Sequence, residues 1–392
     1  MVNNMETGNT IIPASSGKLT IVLVFIAIVL SVLNILDVLS LITDKFYFHD
    51  DAAILYGVSS KDMPLGILTF TYASWWRPIG FGLSMFINWL FDLSPLAFHI
   101  LGMCIHFAVG ITLWWFARRL FSLQIAWLSY IFFMLSLNSI ASAGFPINAF
   151  QDGFFTCFFL LAWGLMFPDA RKQDIVPRSY LPSAIFFLAA ALCKDSWLGA
   201  LPVVLLTDWV LVRKSSLKER FKRLAPFLIL MPVPVLRLVF ADLSKLQTAT
   251  YWYFRIGFLL ANLLNGFIAS FLPFIGSFVN QRWHYLLVFP VLAIMLASLY
   301  SGFNRARIIL IILMFGAVLL ILWTSFFNIY WTDIRIASLA ALSSIIFSLG
   351  LTALIRLIKN VYITSFLIIL VYFAIYYFTL DARAQFIKFM TG

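Results

Sequence analysis

Apolar segments long enough to cross a bilayer as helices recur along most of this chain, with Leu19–Leu41, 308–325 and 361–379 among them. A water-soluble domain carries about 25% charged residues, whereas this chain carries 11% and is 63% hydrophobic. The segments also lack the alternating pattern of membrane β-strands. The sequence therefore predicts an all-α polytopic membrane protein and excludes a water-soluble enzyme.

Basic residues predict how the helices are oriented. Clusters such as Arg213–Arg223 mark cytoplasmic loops, so the net charge of +11 calls for no nucleic-acid partner. About eleven transmembrane helices result, or twelve if 256–275 crosses the membrane instead of forming a re-entrant element. The short apolar segment Ile79–Phe91 predicts a juxtamembrane, interfacial helix in the first outer loop.

The stretch Lys45–Pro78 is a long polar and aromatic loop between apolar segments. It carries the adjacent carboxylates Asp50 and Asp51, and a carboxylate at a membrane surface can act as general base toward a hydroxyl. Adjacent side chains diverge in most backbones, so one carboxylate can face a substrate while the other caps a helix or binds a cation. His49 beside them is either a partner in this chemistry or an interfacial residue.

Isolated cations on the non-cytoplasmic side are a second group of candidates. The inner basic residues occur in clusters, whereas the outer ones are single and lie beside aromatic or acidic residues. Arg77 precedes Pro78, and the fork of an arginine suits a phosphate. Arg282 and Arg335 have similar aromatic neighbours in the sequence. The alternative is that these cations anchor the protein at the membrane interface alongside Trp and Tyr.

Four further polar residues are open to a structural or a functional interpretation. Lys194 and Asp195 lie at a short outer turn, where an ion pair between them would only stabilise the turn. Asp152 ends the second outer loop, Asn138–Asp152. His99 begins the second span, where a hydrogen bond within the helix bundle is the more ordinary role for a histidine.

The order of these features resembles that of the GT-C glycosyltransferases, above all the protein O-mannosyltransferases and their bacterial relatives. Paired acids in the first loop are followed by Arg-Pro at 77–78, by Leu-x-Pro-x-x-x-His at 93–99 and by Arg-Arg-Leu-Phe at 118–121. The segment WRPIGFGLSMFINWLFDLSPLAFHILGMCIHFAVGITLWWFARRLF carries the likeness most strongly, and the resemblance spans roughly 20–212. It implies a GT-C-type membrane architecture.

The resemblance also implies an activity, which is inverting transfer of a sugar from a polyprenyl-phosphate-linked donor. Asp50, or else Asp51, would deprotonate the acceptor hydroxyl, and Arg335 would lie near the lipid phosphate. Asp152 and the Lys194–Asp195 turn would position donor or acceptor. No cofactor is required in this mechanism and no metal site is predicted, although the family leaves dependence on a divalent metal open.

Differences from the mannosyltransferases favour a compact bacterial enzyme that modifies a surface glycan or lipid. The second outer loop, AGFPINAFQD, lacks the histidine and glutamate of that family, and the Lys-acid turn has Asp in place of Glu. The expected partners are a polyprenyl-phosphate sugar, a glycan, lipid or protein acceptor, and the bilayer. The expected location is the bacterial inner membrane, with the site facing the periplasm or the exterior.

The resemblance suggests a division of the chain into three parts. Residues 1–18 are expected to form a cytoplasmic tail, and 19–241 a transmembrane catalytic module that includes the outer loop 44–94. Residues 242–392 are expected to form a variable C-terminal transmembrane part. The alternative function is a transporter or flippase of lipid-linked sugars, which would move the lipid without forming a covalent product.

Overall fold

The computed structural model describes residues 16–41, 57, 66–67, 71–72, 75–136, 146–167, 179–212, 215–240, 296, 311–314, 316–318, 337–357 and 370. Almost all of these residues are helical. The exception is a short antiparallel ribbon in the first outer loop, in which β1 (Thr71–Tyr72) pairs with β2 (Trp75–Trp76). The predicted all-α fold class is confirmed, with this small ribbon added to it.

Ten α-helices belong to the described part of the chain: α1 (Ser16–Leu41), α2 (Pro78–Phe91), α3 (Pro95–Leu120), α4 (Leu123–Leu135), α5 (Phe154–Leu165), α6 (Leu181–Cys193), α7 (Trp197–Leu211), α8 (Leu217–Leu224), α9 (Pro232–Phe240) and α10 (Ala337–Leu357). A helical turn at Pro146–Asn148 and a π-helical turn at Ala149–Gly153 precede α5, and a 3₁₀ segment at Ala225–Leu230 joins α8 to α9.

Two of these helices are long and apolar enough to cross a membrane, Leu19–Leu36 within α1 and Pro95–Leu120. Six shorter apolar helices are found among the same residues. The apolar helices up to 240 fall where the apolar pattern predicts them, whereas the polar helix α8 was not predicted. Most residues of the segments 256–275, 284–300, 308–325 and 361–379 lie outside the described part of the chain, so their crossings stay predictions.

Helix α4 lies at the centre of the described bundle and packs against α1, α3 and α10. Its residues from Leu128 to Leu135 are all buried, because a helix that is apolar on every side needs neighbours all round. Polar groups of α1 bind to it directly. The Asn34 amide donates to the Met134 carbonyl at 3.0 Å, and Ser31 Oγ lies 2.9 Å from the Tyr130 hydroxyl.

Helix α2 confirms the expected helix at Ile79–Phe91. Pro78 occupies its first turn, where the missing N–H is not needed, and Trp89 and Phe91 are exposed. Asp92 ends the helix with a φ of 46°, the one positive φ of a non-glycine residue in the described part of the chain. The exposed aromatic residues agree with a position at the membrane interface.

Helices α5, α6 and α7 form the frame that places the candidate site. Ser183 Oγ of α6 donates to the Ala162 carbonyl of α5 at 2.6 Å, and the Trp163 indole donates to Thr207 of α7 at 2.8 Å. The turn between α6 and α7 contains Lys194 and Asp195. The frame therefore fixes the position of these two charges.

Candidate functional site

Charged side chains from four separate segments meet beside the turn between α6 and α7. The segments are the junction of β2 and α2, the π-helical turn before α5, the turn itself and α9. The ionic cluster consists of Arg77, Asp152, Lys194, Asp195 and Arg237, together with the amide of Gln151. Four of the six are sequence-predicted site residues, namely Arg77, Asp152, Lys194 and Asp195.

Arg77 connects two of these segments. Its side chain is only 5% exposed, and Nη1 donates to the Gln151 amide oxygen while Nη2 lies 3.0 Å from Asp195 Oδ2. Pro78 disfavours helical geometry at Arg77, which sits at the N-cap of α2 with φ −137° and ψ 70°. The adjacent Trp76 ring stacks on Phe240 of α9 at 5.5 Å. Arg77 is therefore held on both sides by packed elements.

Asp195 is shared by two guanidinium groups. Its Oδ2 binds Arg77, and its Oδ1 forms an ion pair with Nη1 of Arg237 from α9. Arg237 also donates from Nη2 to the Ala191 carbonyl at the end of α6, at 2.9 Å. One carboxylate therefore links the first outer loop to α9 through the turn between α6 and α7.

Lys194 has a different partner from its neighbour. Its ammonium pairs with Asp152 Oδ1, and the two residues are 8% and 2% exposed. The backbone of Lys194 is extended, with φ −157° and ψ 151°, so its side chain and that of Asp195 diverge. The expected alternative of an ion pair between Lys194 and Asp195 is wrong for this reason.

Asp152 and Gln151 belong to the π-helical turn and not to a loop. The expected outer loop Asn138–Asp152 is wrong in its last part, because the chain becomes helical at Pro146, a residue that the first turn of a helix tolerates. Buried Ile147 and Phe150 hold this turn in the core. A π-helical turn displaces side chains from regular α-helical spacing and is frequent at functional sites. Here it presents Gln151 to Arg77 and Asp152 to Lys194.

Counted over the described residues alone, the ionic cluster contains three cations and two carboxylates. Burial lowers the effective dielectric constant, so these charges interact more strongly than they would in water. Removing either partner of a buried ion pair leaves an uncompensated charge.

His99 lies near the ionic cluster but is not one of its ion-pair members. It is buried in the first turn of α3, and the ring of its neighbour Phe98 lies 5.9 Å from the Phe150 ring of the π-helical turn. The other candidates, His49, Asp50, Asp51, Arg282 and Arg335, lie outside the described residues. Within the described ranges, no group of three or more His, Cys, Asp or Glu residues could hold a metal ion.

Two members of the ionic cluster, Arg237 and Gln151, were missed by sequence reasoning. Arg237 had a usable signal, since an arginine inside the apolar run PVPVLRLVF is costly unless it has a partner. Gln151 had none, because a glutamine next to an aspartate reads as an ordinary polar stretch. Its role depends on the π-helical turn.

Gly80 allows the close approach of α2 to the π-helical turn. A Cβ at this position would lie 2.7 Å from Cγ of Gln151 and 3.6 Å from the Phe150 carbonyl oxygen. The Gly80→Ala variant is expected to displace Gln151 from Arg77 and to lower the free energy of unfolding by about 1–3 kcal/mol. Thermal unfolding of the purified protein in detergent would show this as a lower midpoint.

Gly17 of α1 offers the matched control. In the part of the chain that the structure describes, no atom lies within 4 Å of a Cβ built there. Gly17→Ala is therefore expected to leave the midpoint unchanged. Equal midpoints for Gly80→Ala and the wild type would mean that the two segments are not in close contact.

No protein-family model and no curated protein matches this chain. Among solved structures it is similar to the Archaeoglobus fulgidus oligosaccharyltransferase in complex with Zn and sulfate, with a TM-score of 0.50 at 15% identity, covering 91% of this chain and 52% of that one. It is also similar to ArnT from Cupriavidus metallidurans in the apo state, with a TM-score of 0.49 at 15% identity, covering 86% of this chain and 60% of that one.

The chain therefore spans about half the length of the first of these proteins and 60% of the second. At 15% identity the likeness to the oligosaccharyltransferase shows a shared fold alone. That fold is helical throughout the described residues apart from the short ribbon of β1 and β2.

Proposed function

We propose that the protein is a membrane glycosyltransferase that moves a sugar from a polyprenyl-phosphate-linked donor to a hydroxyl of a surface glycan, lipid or protein. The observation that carries the proposal is the buried ionic cluster, in which Arg77 and Arg237 share Asp195 while Lys194 pairs with Asp152. The shared GT-C fold supports it. All described members of the cluster fall within 19–241, which supports the proposed catalytic module.

The proposed reaction needs a base and a place for negative charge. Asp50 or Asp51 takes the proton of the acceptor hydroxyl, whose oxygen attacks the anomeric carbon from the face opposite the leaving group. The bond between that carbon and the phosphate oxygen breaks, and polyprenyl phosphate leaves with the electron pair. The anomeric configuration is inverted.

Arg77 is the proposed donor-phosphate ligand from the described part of the chain. Phosphate is a good leaving group, so fixed positive charge next to it replaces a dedicated general acid. Arg282 and Arg335 are proposed to contact the same phosphate. We assign the positioning of donor or acceptor to His49, His99, Asp152 and the Lys194–Asp195 turn. The proposed reaction uses no metal and no cofactor.

The membrane topology supports an external site. The ionic cluster lies at one end of α6 and α7, whereas the basic segment Arg213–Arg223 follows the other end of α7. Basic clusters favour the cytoplasmic side, so the site is proposed to face the periplasm or exterior from the bacterial inner membrane.

Transfer by the Arg77→Gln variant is expected to fall about 100-fold, because removing one positioned donor to a developing oxyanion has an effect of this size. The measurement uses purified full-length protein, a radiolabelled polyprenyl-phosphate sugar and an acceptor glycan, with release of polyprenyl phosphate as the readout. One labelled acceptor molecule is expected to form for each polyprenyl phosphate that is released.

Arg118→Gln is the matched control. Arg118 lies at the other end of α3 from His99 and stacks over Trp114 at 5.0 Å, away from the ionic cluster. Its loss is expected to leave transfer within about twofold of the wild type. Movement of the labelled lipid across vesicles without any covalent product would contradict transfer and favour a flippase.

A further inference from the structure

Helix α8 presents an apolar face with lysines beside it. The Ser216 hydroxyl accepts a hydrogen bond from the Glu219 N–H, and the Glu219 carboxylate accepts one from the Ser216 N–H, so this eight-residue helix has a well-defined start. Hydrogen bonds from the Ser215 hydroxyl and the Ser216 backbone hold the pKa of Glu219 below its usual value. Leu217 and Phe221, four residues apart on one face, are 62% and 74% exposed.

A different face of α8 is attached to the end of α7 by a second buried ion network. Arg220 Nη1 lies 3.1 Å from Asp208 Oδ2, and Arg223 Nε lies 2.9 Å from Asp208 Oδ1. Tyr180 donates to the same carboxylate at 2.8 Å. Asp208 is fully buried, so these contacts fix the rotation of α8 about its axis. Leu217 and Phe221 are therefore held outward.

Further exposed apolar side chains follow α8 in the chain. Leu228, Met231 and Val235 are exposed along the 3₁₀ segment and α9, which is the surface that a membrane-crossing element turns to lipid tails. Helix α8 lies where this surface ends, about 20 Å from the ionic cluster along the 13 residues of α6.

Lys218 and Lys222 form a pair of exposed cations on the side of the apolar face. They are four residues apart, and among the described residues neither takes part in an ion pair. Arg220 and Arg223 are already engaged with Asp208, and the Glu219 carboxylate is turned back to Ser215 and Ser216. The positive charge available to a ligand at this surface is therefore that of the two lysines.

We propose that the α8 surface, defined by Leu217, Lys218, Phe221 and Lys222, is a docking site for an anionic lipid headgroup. Leu217 and Phe221 enter the acyl boundary, and the two ammonium groups bind the phosphate from the side. Charge complementarity and continuity with the lipid-facing surface favour a lipid over a protein partner. This site lies at the opposite end of α6 from the ionic cluster and does not depend on the proposed transfer reaction.

The test measures lipid retention by the full-length protein. Native mass spectrometry in mixed micelles would compare phosphatidylglycerol with phosphatidylcholine. The ratio of retained phosphatidylglycerol to retained phosphatidylcholine is expected to be at least about tenfold lower for the Lys218→Gln/Lys222→Gln variant than for the wild type. Each lysine at a membrane surface contributes about fivefold to the binding of an anionic lipid. The Leu217→Ser/Phe221→Ser variant is expected to retain less of both lipids.

Lys218→Arg/Lys222→Arg is the matched control, because it keeps both charges, and it is expected to keep the wild-type preference within about twofold. The proposal is overturned if the glutamine variant prefers phosphatidylglycerol as the wild type does. It is equally overturned if the arginine variant loses the preference as fully as the glutamine variant, because positive charge would then not be what binds.

Discussion

Sugar transfer is expected to fall about 100- to 10,000-fold when the proposed base, Asp50 or Asp51, is replaced by asparagine, because a positioned general base contributes a factor of this size. Asparagine keeps the shape of the side chain and removes its ability to accept a proton. Each single variant is assayed with a polyprenyl-phosphate sugar and an acceptor glycan. One of the two is expected to show the full loss and the other a smaller one.

Asp44→Asn and Asp62→Asn are matched controls, since they remove carboxylates from the same outer loop. Both are expected to transfer within about threefold of the wild type, because neither carboxylate belongs to the proposed site. Thermal midpoints of all four variants would separate loss of chemistry from loss of folding. Full transfer by both Asp50→Asn and Asp51→Asn would rule out the proposed base.

Lys194→Met is expected to lower the free energy of unfolding by about 3–5 kcal/mol, because it leaves the Asp152 carboxylate buried without its cation. The double variant Lys194→Met/Asp152→Leu removes both charges. Its stability is expected to return to within about 1 kcal/mol of the wild type, since an apolar pair of similar volume often replaces a buried ion pair without loss. Unfolding in mixed SDS micelles would measure these values.

The rate of sugar transfer distinguishes a substrate-positioning role of the Lys194–Asp152 pair from a purely structural one. If Lys194 and Asp152 position a substrate, the double variant stays at least about tenfold slower than the wild type although its stability is restored. Recovery of both stability and transfer would make the pair structural only. Asn34→Ala is the control, because this buried amide binds the Met134 carbonyl within the α1–α4 contact. It is expected to lower stability while leaving transfer per folded molecule unchanged.

Sequence patterns predicted local features well where a single physical cause dominates. Apolar length predicted the apolar helices up to 240, and Pro78 followed by an apolar run predicted α2, but the charged helix α8 was not predicted. Arg77 was identified as a candidate because it is an isolated cation before a proline and its fork suits a phosphate, whereas roles for Asp152, Lys194 and Asp195 were implied by the resemblance. Asp50, Asp51, His49, Arg282 and Arg335 lie outside the described residues, so their proposed roles rest on the sequence and its resemblance.

Pairing of the charges could not be predicted in the same way. Lys194 and Asp195 are adjacent in the chain, yet an extended backbone directs them to Asp152 and to the two arginines respectively. The π-helical turn at Ala149–Gly153 has no pattern that distinguishes it from a polar loop. Arg237 is separated from Asp195 by more than two helices, and only the packing of α9 beside α6 brings them together.

The sequence by itself determined that this is a helical membrane protein and which isolated charges need an explanation, because the cost of placing polar groups in a bilayer is visible in composition and spacing. Tertiary structure alone decided which charges are partners, because contacts between distant segments depend on how helices pack. It also decided that, among the described cations of the basic segment Arg213–Arg223, Arg220 and Arg223 bind Asp208 whereas Lys218 and Lys222 are exposed at the surface.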